Sequence, residues 1–560
     1  FKYFRPTNWA FLFGNRQQTP SSWYHYDGGG RWFPQEVQNL LSMIEKAEHE
    51  IYSLLDQGNS VESELNDLIV DDRFEINIFA DEKLGIANPI AMNWDPMGRL
   101  WVLCTMAYPQ LKPGAKGNDK LFILEDRDKD GKAESSKVFA DNLEMPTGFA
   151  IGNGGAYIGQ GTQLIHLKDL DGDGKSDSKR IIFTGFGTDD THQNINSFTW
   201  SPDGYLYFCQ GMHAFSRIET PWGISMADES AVWRLHLETL KLQSYMSPNM
   251  SADNPWGIAF GKWGQIYLKG NDQQIYDVAP AMIPTKNYSR MEDGYGLMGR
   301  TKAKSMALEI VETSHLPEDF QGCFLIAGYF DRSIERFRVE RNGSVAKAVR
   351  LKKFIVGKHP AFRPVDVKVG PDGAIYIADW FNLIINHYQE SLRHPKRDKL
   401  HGRIWRAQYK HKPLVTTRNL SSLPPGKLFN QLKHKESWVR YQTRRLISEL
   451  PRKTVKKELE TWLSGLDQEE SEYVHHIYEA ISICQIHQIY RFDLLNVLQK
   501  SKDFNARAYA ASIIEQWHSK MDNPLEKLAE LIADPDPRVR LKAVGALSHI
   551  QSPQSIKIAL

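Results

Sequence analysis

One unit recurs through the middle of this chain: a strand of alternating apolar residues, a turn carrying glycine, and a second strand. Asn88–Val102, Asn196–Phe208, Asn254–Leu268 and Arg363–Ile377 are full copies, with Gly98, Gly204, Gly264 and Gly373 at the turn. Thr147–Gly159 is a shortened copy, and a degenerate one falls at Gly322–Ala327. Glycine supplies the positive φ that a tight hairpin demands. The copies start about 40 to 70 residues apart, which suits a four-stranded propeller blade, and six would close one ring. The fold class expected is mainly β, a six-bladed β-propeller over residues 74–410.

The flanks read differently. Residues 1–73 form an N-terminal arm, with aromatic residues from Trp9 to Trp32 and an amphipathic helix over Pro34–Leu55, where Leu40, Leu41, Ile44, Ala47 and Ile51 keep helical spacing. After residue 410 helical periodicity takes over. Trp438–Arg440, Asn505–Arg507 and Arg538–Arg540 sit in matching positions, about 33 residues or twice that apart, and Asp534–Arg540 reads as a HEAT-type turn and helix start. Residues 411–560 are therefore expected to form a HEAT-like α-solenoid, incomplete at its C-terminus. With the arm, it is expected to take a protein partner. The chain starts at Phe1 rather than Met, so a processed or partial product is the expectation.

Charge excludes one class of partner. Lys and Arg number 69 against 68 Asp and Glu, for a net +1, which gives none of the basic surplus that nucleic-acid phosphates reward. No apolar run approaches the roughly 20 residues needed to cross a bilayer. Cys104, Cys209, Cys323 and Cys484 are far apart and form no CxxC pair, so buried free thiols are expected.

Two acidic segments carry metal-ligand spacing. In Asp126–Glu134 and Asp169–Asp177, carboxylates stand at loop positions one, three, five and nine (Asp126, Asp128, Asp130, Glu134; Asp169, Asp171, Asp173, Asp177) with glycine at six. The backbone carbonyls of Lys132 and Lys175 fall at position seven. Hard oxygen ligands gathered by a tight turn suit calcium, although the glutamate of an EF-hand at position twelve is Lys137 in one loop and Arg180 in the other. Apolar β runs flank both, which makes each a turn between a blade's third and fourth strands. Both should be structural pins on the face opposite the mouth.

The same topology sorts the remaining polar clusters. His192 precedes a first strand, while Gln210–His213, Lys269–Asp272 and Asp379–Asn382 follow second strands, so all four converge on one mouth. His213 and His387 read as structural.

The stretches Asn88–Met92, Thr191–Phe198, Pro221–Gly223, Asn254–Phe260, Arg363–Val367, Asp379–His387 and Arg397–Trp405, with the two acidic loops, resemble the membrane-bound dehydrogenases of planctomycetes, verrucomicrobia and related bacteria, whose propeller commonly continues into HEAT repeats. More distantly the ring is similar to sorbosone and soluble quinoprotein glucose dehydrogenases. That resemblance implies pyrroloquinoline quinone as hydride acceptor and a general-base histidine, which His192 matches. It also implies a site lined by Gln193, Asn196, Trp256 and Asp379, with Arg363 and Asp366 beside the base. The glucose enzymes place a cofactor-binding arginine directly before the Asn-Pro of the fourth blade, where this chain has Asp253, and an anion there opposes a tricarboxylate quinone. Arg363 is the candidate substitute. The haem-binding CxxCH of many family members does not occur in these residues.

Two functions follow as expectations. One is an extracytoplasmic dehydrogenase of the periplasm or outer-membrane surface, oxidising a sugar or sugar-derived alcohol. The other is a non-catalytic module that holds a carbohydrate or a protein segment within an envelope assembly.

Overall fold

The computed structural model describes residues 42–43, 59–111, 114–189, 191, 194–212, 214–246, 254–270, 273–278, 296–386, 390–392, 394 and 396–560. Ser42 and Met43 are helical, and the rest of the helix expected over Pro34–Leu55 lies outside them, as do His192, Gln193, His213, Asp253, Asn271, Asp272 and His387.

Six antiparallel sheets form the ring. Their innermost strands are Pro89–Trp94, Pro146–Gly152, Asn196–Trp200, Gly257–Phe260, Met306–Ile310 and Pro364–Val369. Five begin at the repeats read from the sequence. In the fifth blade the degenerate copy marks the second strand, Phe324–Gly328, because a long excursion with a short 3-10 helix at Glu318–Phe320 separates it from the first.

The ring closes by mixing its two ends. Phe74–Ala80 is the outermost strand of the sixth blade and pairs antiparallel with Arg403–Tyr409, from Phe74 opposite Tyr409 to Ala80 opposite Ile404. Leu68–Val70 adds to the fifth blade against Ile355–Gly357. Just before it, the helix Val61–Asp67 is capped by the Ser60 hydroxyl and carries Glu64 into a buried contact with Arg403. Apolar side chains of adjacent blades interlock, as where Met92 and Trp94 of the first meet Tyr376 and Ala378 of the sixth. All four cysteines are buried and free.

Helices from Pro425 to Ala559 form the solenoid. The three matched arginines do the same work: Arg440 donates to the carbonyls of His434 and Lys435, Arg507 to Ser501 and Lys502, and Arg540 to Asp534 and Pro535, at 2.7–3.0 Å. Each arginine thus ties its helix to the turn that precedes it.

The solenoid packs on the ring face that carries the turns between first and second strands. Gln442 donates to the Trp94 carbonyl at 2.7 Å, Glu449 accepts from the Asn153 amide at 2.7 Å, and Lys262 pairs with Glu472 at 2.9 Å. Gly204, at the turn of the third blade, has φ +85°, and a Cβ there would lie 2.7 Å from Ile486 of the solenoid. That turn therefore needs glycine for both its conformation and its close packing.

Candidate functional site

The inner strands stand around the ring axis and enclose a channel of two chambers, lined by consecutive residues such as Ala91–Asn93 and Asn196–Phe198. The chamber at the mouth has a volume of about 240 Å³ and that on the solenoid side about 180 Å³; Asn93, Phe198, Ile258 and Lys368 line both. Glu436, Trp438, Arg440 and Tyr441 of the solenoid wall the second chamber. The solenoid thus borders one end of the channel, and the mouth lies at the other.

Three of the residues expected at the site line the mouth chamber: Asn196, Trp256 and Asp366. Asn196 is buried, donates to the Asn194 carbonyl at 2.9 Å and accepts from the Ser197 hydroxyl at 2.8 Å. Asp366 accepts from the amides of Met92 at 2.8 Å and Val367 at 2.9 Å, so it joins the first and sixth blades. Burial pushes its carboxyl above the usual range, and Lys368 pulls it back down. Lys368 pairs with Glu309 at 3.5 Å.

Arg363 and Asp379 are not brought to the chamber. The Arg363 guanidinium donates to the carbonyls of Asn382 at 3.0 Å and Tyr329 at 3.1 Å, which fixes two loops at the rim. Asp379 is fully buried and accepts from the amides of Arg363 and Phe381 and from the Trp405 indole, beside the Glu64–Arg403 pair. Its carboxylate holds the ring closure together instead of facing a ligand. Trp380, its neighbour, does line the chamber and meets Tyr108 edge-on at 5.1 Å.

The sequence reading omitted Tyr108, Lys304, Tyr329 and Lys368, which also line the chamber. Lys368 was within reach, since strand alternation places it on the same face as Asp366. The other three sit on connections whose course no periodicity reports. A second omission is the hairpin Phe215–Thr220 and Gly223–Asp228, inserted after the second strand of the third blade.

The two acidic loops share one internal wiring. The first carboxylate accepts from the position-six glycine amide (Asp126 from Gly131 at 3.0 Å, Asp169 from Gly174 at 2.8 Å). The third accepts from the fifth amide, the fifth from the seventh, and the ninth from the second. Both glycines have positive φ, +86° and +81°. Asp126, Asp128, Asp130 and Glu134 each bring one oxygen within 4.8 Å of the others, as do Asp169, Asp171 and Asp177; Asp173 stands outside that set. Asp126 Oδ1 is buried without a hydrogen-bond partner, and burial raises the Asp126 carboxyl, with Glu134 and Asp130 adding to the rise. A divalent cation fits this donor set, because it would satisfy the orphaned oxygen and cancel the repulsion.

Both loops lie between third and fourth strands, as expected, and each reaches the preceding blade. The Gly131 carbonyl accepts from Asn77 at 2.8 Å and the Ala133 amide donates to Phe79 O at 2.8 Å, so the first loop is bonded to the closing strand. The Ser176 amide donates to Phe139 O at 2.8 Å, which bonds the second loop to the first blade.

The profile described as Domain of unknown function (DUF7133) matches residues 60–303 and 273–411, and one for HEAT repeats matches 493–560. None of the curated proteins compared matches the chain. Among solved structures, the soluble aldose sugar dehydrogenase of Escherichia coli in its apo form is 13% identical, with a TM-score of 0.37, over 60% of this chain and 100% of that one. The PQQ-bound aldose sugar dehydrogenase of Streptomyces coelicolor is 11% identical, with a TM-score of 0.35, over 61% and 100%. A luciferin-regenerating enzyme gives 11%, 0.37, 61% and 98%. Spanning more than half of its length, the profile match places the chain in the family described as Domain of unknown function (DUF7133), here a six-bladed propeller followed by a HEAT-like solenoid.

Proposed function

We propose that this is an extracytoplasmic binding propeller that takes a sugar or sugar-derived alcohol in its mouth chamber. The observation that carries the reading is the chamber's lining. Trp256, Trp380, Tyr108 and Tyr329 offer aromatic surface, while Asn93, Asn196, Thr105 and Asp366 offer side-chain polar groups, around a volume of about 240 Å³. Apolar ring faces and convergent hydrogen-bonding groups suit a neutral polyhydroxylated ligand.

Calcium in the two acidic loops would serve this site indirectly, by bonding the first loop to the closing strand and the second to the first blade. Calcium-replete extracytoplasmic space suits loops of this kind. The solenoid's surface away from the ring and the N-terminal arm remain the proposed contacts for a protein partner.

A second reading, oxidation of the sugar, is favoured by one feature. That feature is the sequence match of His192 to the general-base histidine of the dehydrogenases that the ring resembles. The described residues do not fit pyrroloquinoline quinone. No arginine is among those lining the chamber, Arg363 is engaged by two carbonyls, and Asp366 opposes the quinone carboxylates. No step is therefore derived through it.

Titration of the purified chain with quinone and a sugar panel separates the readings. Saturable sugar binding without quinone binding supports the module. Quinone binding at micromolar concentration with sugar-dependent dye reduction, lost in His192→Ala, would replace it with the enzyme.

A further inference from the structure

Between the third and fourth blades and the solenoid lies a separate cavity of about 90 Å³. Arg234, Arg538 and Lys542 line it, and Asp203 is the one carboxylate among its lining residues. Arg538 is neutralised by a two-pronged pair with Asp277, one contact at 2.9 Å. The other two cations make no direct ion pair among the described residues, though Asp203 acts on Arg234, and Asp277 and Glu515 on Lys542, from farther off. Arg234 directs Nε and one terminal nitrogen to the neutral Gln243 carbonyl oxygen at 3.1 and 2.8 Å, and its guanidinium lies between the rings of Tyr205 and Tyr245, 4.8 and 4.1 Å from their centroids. Lys542 makes no hydrogen bond or ion pair among the described residues. Asp203 itself is engaged by the Ser201 hydroxyl and by Gln516 at 3.2 Å.

Two half-buried cations facing one cavity without a carboxylate partner carry a desolvation cost that a bound counter-anion offsets. The small volume suits a compact tetrahedral oxyanion. Ser512 adds a hydroxyl to the wall. We infer that this cavity binds a small tetrahedral oxyanion, phosphate or sulfate, held by Arg234 and Lys542 and bridging the propeller to the solenoid. Burial and the neighbouring Arg538 also lower the Lys542 ammonium to about 8 against the opposing pull of Asp277 and Glu515, a penalty that a bound anion would relieve.

The test uses the full chain, titrated calorimetrically with inorganic phosphate and separately with sulfate at constant ionic strength. One saturable site per chain is expected, weakened about tenfold or more in Lys542→Met, since one charge-assisted bond is lost. Lys542→Arg should restore binding to within about threefold, and Asp203→Asn should tighten it. Arg234→Met tests the second cation, and Lys542→Met, which removes an unpaired charge, is the variant that should stay folded. Binding of phosphate alone, sulfate alone or both supports the site and assigns its anion. Absence of saturable binding of either, or equal binding in Lys542→Met, overturns it.

Discussion

The Arg445 guanidinium lies over the ring of Trp200, 3.7 Å from its centroid, and this contact joins the second solenoid helix to the inner strand of the third blade. Both side chains are buried, and the Trp200 indole also donates to Ile151 O at 2.9 Å. A buried cation over an aromatic face is worth about 2 kcal/mol. Trp200→Ala should therefore cost about 3–5 kcal/mol by urea unfolding, the range for deleting a buried aromatic side chain, and expose the amides of Ser437–Ser448 to hydrogen exchange. Trp222→Ala, at a residue 65% exposed on the inserted hairpin, should change stability by no more than about 0.5 kcal/mol.

Chelation should act on the ring closure. Because a metal bound only by the folded state stabilises by about 2.7 kcal/mol at 100 times its Kd, excess chelator should lower the Tm. The loss of hydrogen-exchange protection should be greatest in Phe74–Ala80, the strand to which the first loop is bonded. Asp128→Ala and Asp171→Ala should each remove part of the chelator response without changing sugar affinity. An unchanged melting curve would refute the metal assignment.

Acid should destabilise the protein through two buried histidines. His166 stacks on Tyr157 at 4.0 Å and donates from Nε2 to Gly152 O, and His475 donates to Lys262 O across the ring–solenoid contact. Burial lowers both to about 4. The unfolded chain then binds more protons than the folded one between pH ~6.5 and ~4, so stability present above pH ~6.5 is lost as pH falls through that window. The loss amounts to at most about 3 kcal/mol per histidine. Urea midpoints measured from pH 7 to 4 should fall, and His166→Gln should flatten part of the slope.

The ring was legible because its repeat combines two independent signals, strand alternation and a turn glycine, and both recur together in five of the six blades. The acidic loops were legible for the same reason: Asp126 and Asp169 begin segments whose spacing dictates which amides the carboxylates can reach. Asp379 and Arg363 were placed on the right loops, but a charged side chain at a mouth can turn inward to a ligand or sideways to buried partners. That choice depends on Glu64, Arg403 and Tyr329, which are remote in sequence. The solenoid's docking was illegible for a related reason, since its matched arginines first serve their own helix turns, and most contacts to the ring come from residues that no repeat marks, among them Gln442, Arg445, Glu449 and Glu472.

Asp366 tests the chamber locally. Its two amide partners keep the first and sixth blades in register, so Asp366→Asn should preserve one acceptor and retain the fold, at a cost of about 1–3 kcal/mol for the amide left unsatisfied. Sugar affinity should fall at least about tenfold if the carboxylate bonds ligand hydroxyls. An unfolding midpoint that drops while affinity holds would restrict Asp366 to the ring.

The most direct measurement is calorimetric titration of the purified chain, in calcium buffer, with a panel of mono- and oligosaccharides and their alditols. One saturable site per chain is predicted, weakened about tenfold or more by Trp380→Ala and unchanged by Lys542→Met, which lies at the separate anion cavity. No saturable binding by any member of the panel, or binding indifferent to Trp380→Ala, would contradict a sugar site in the mouth of this propeller.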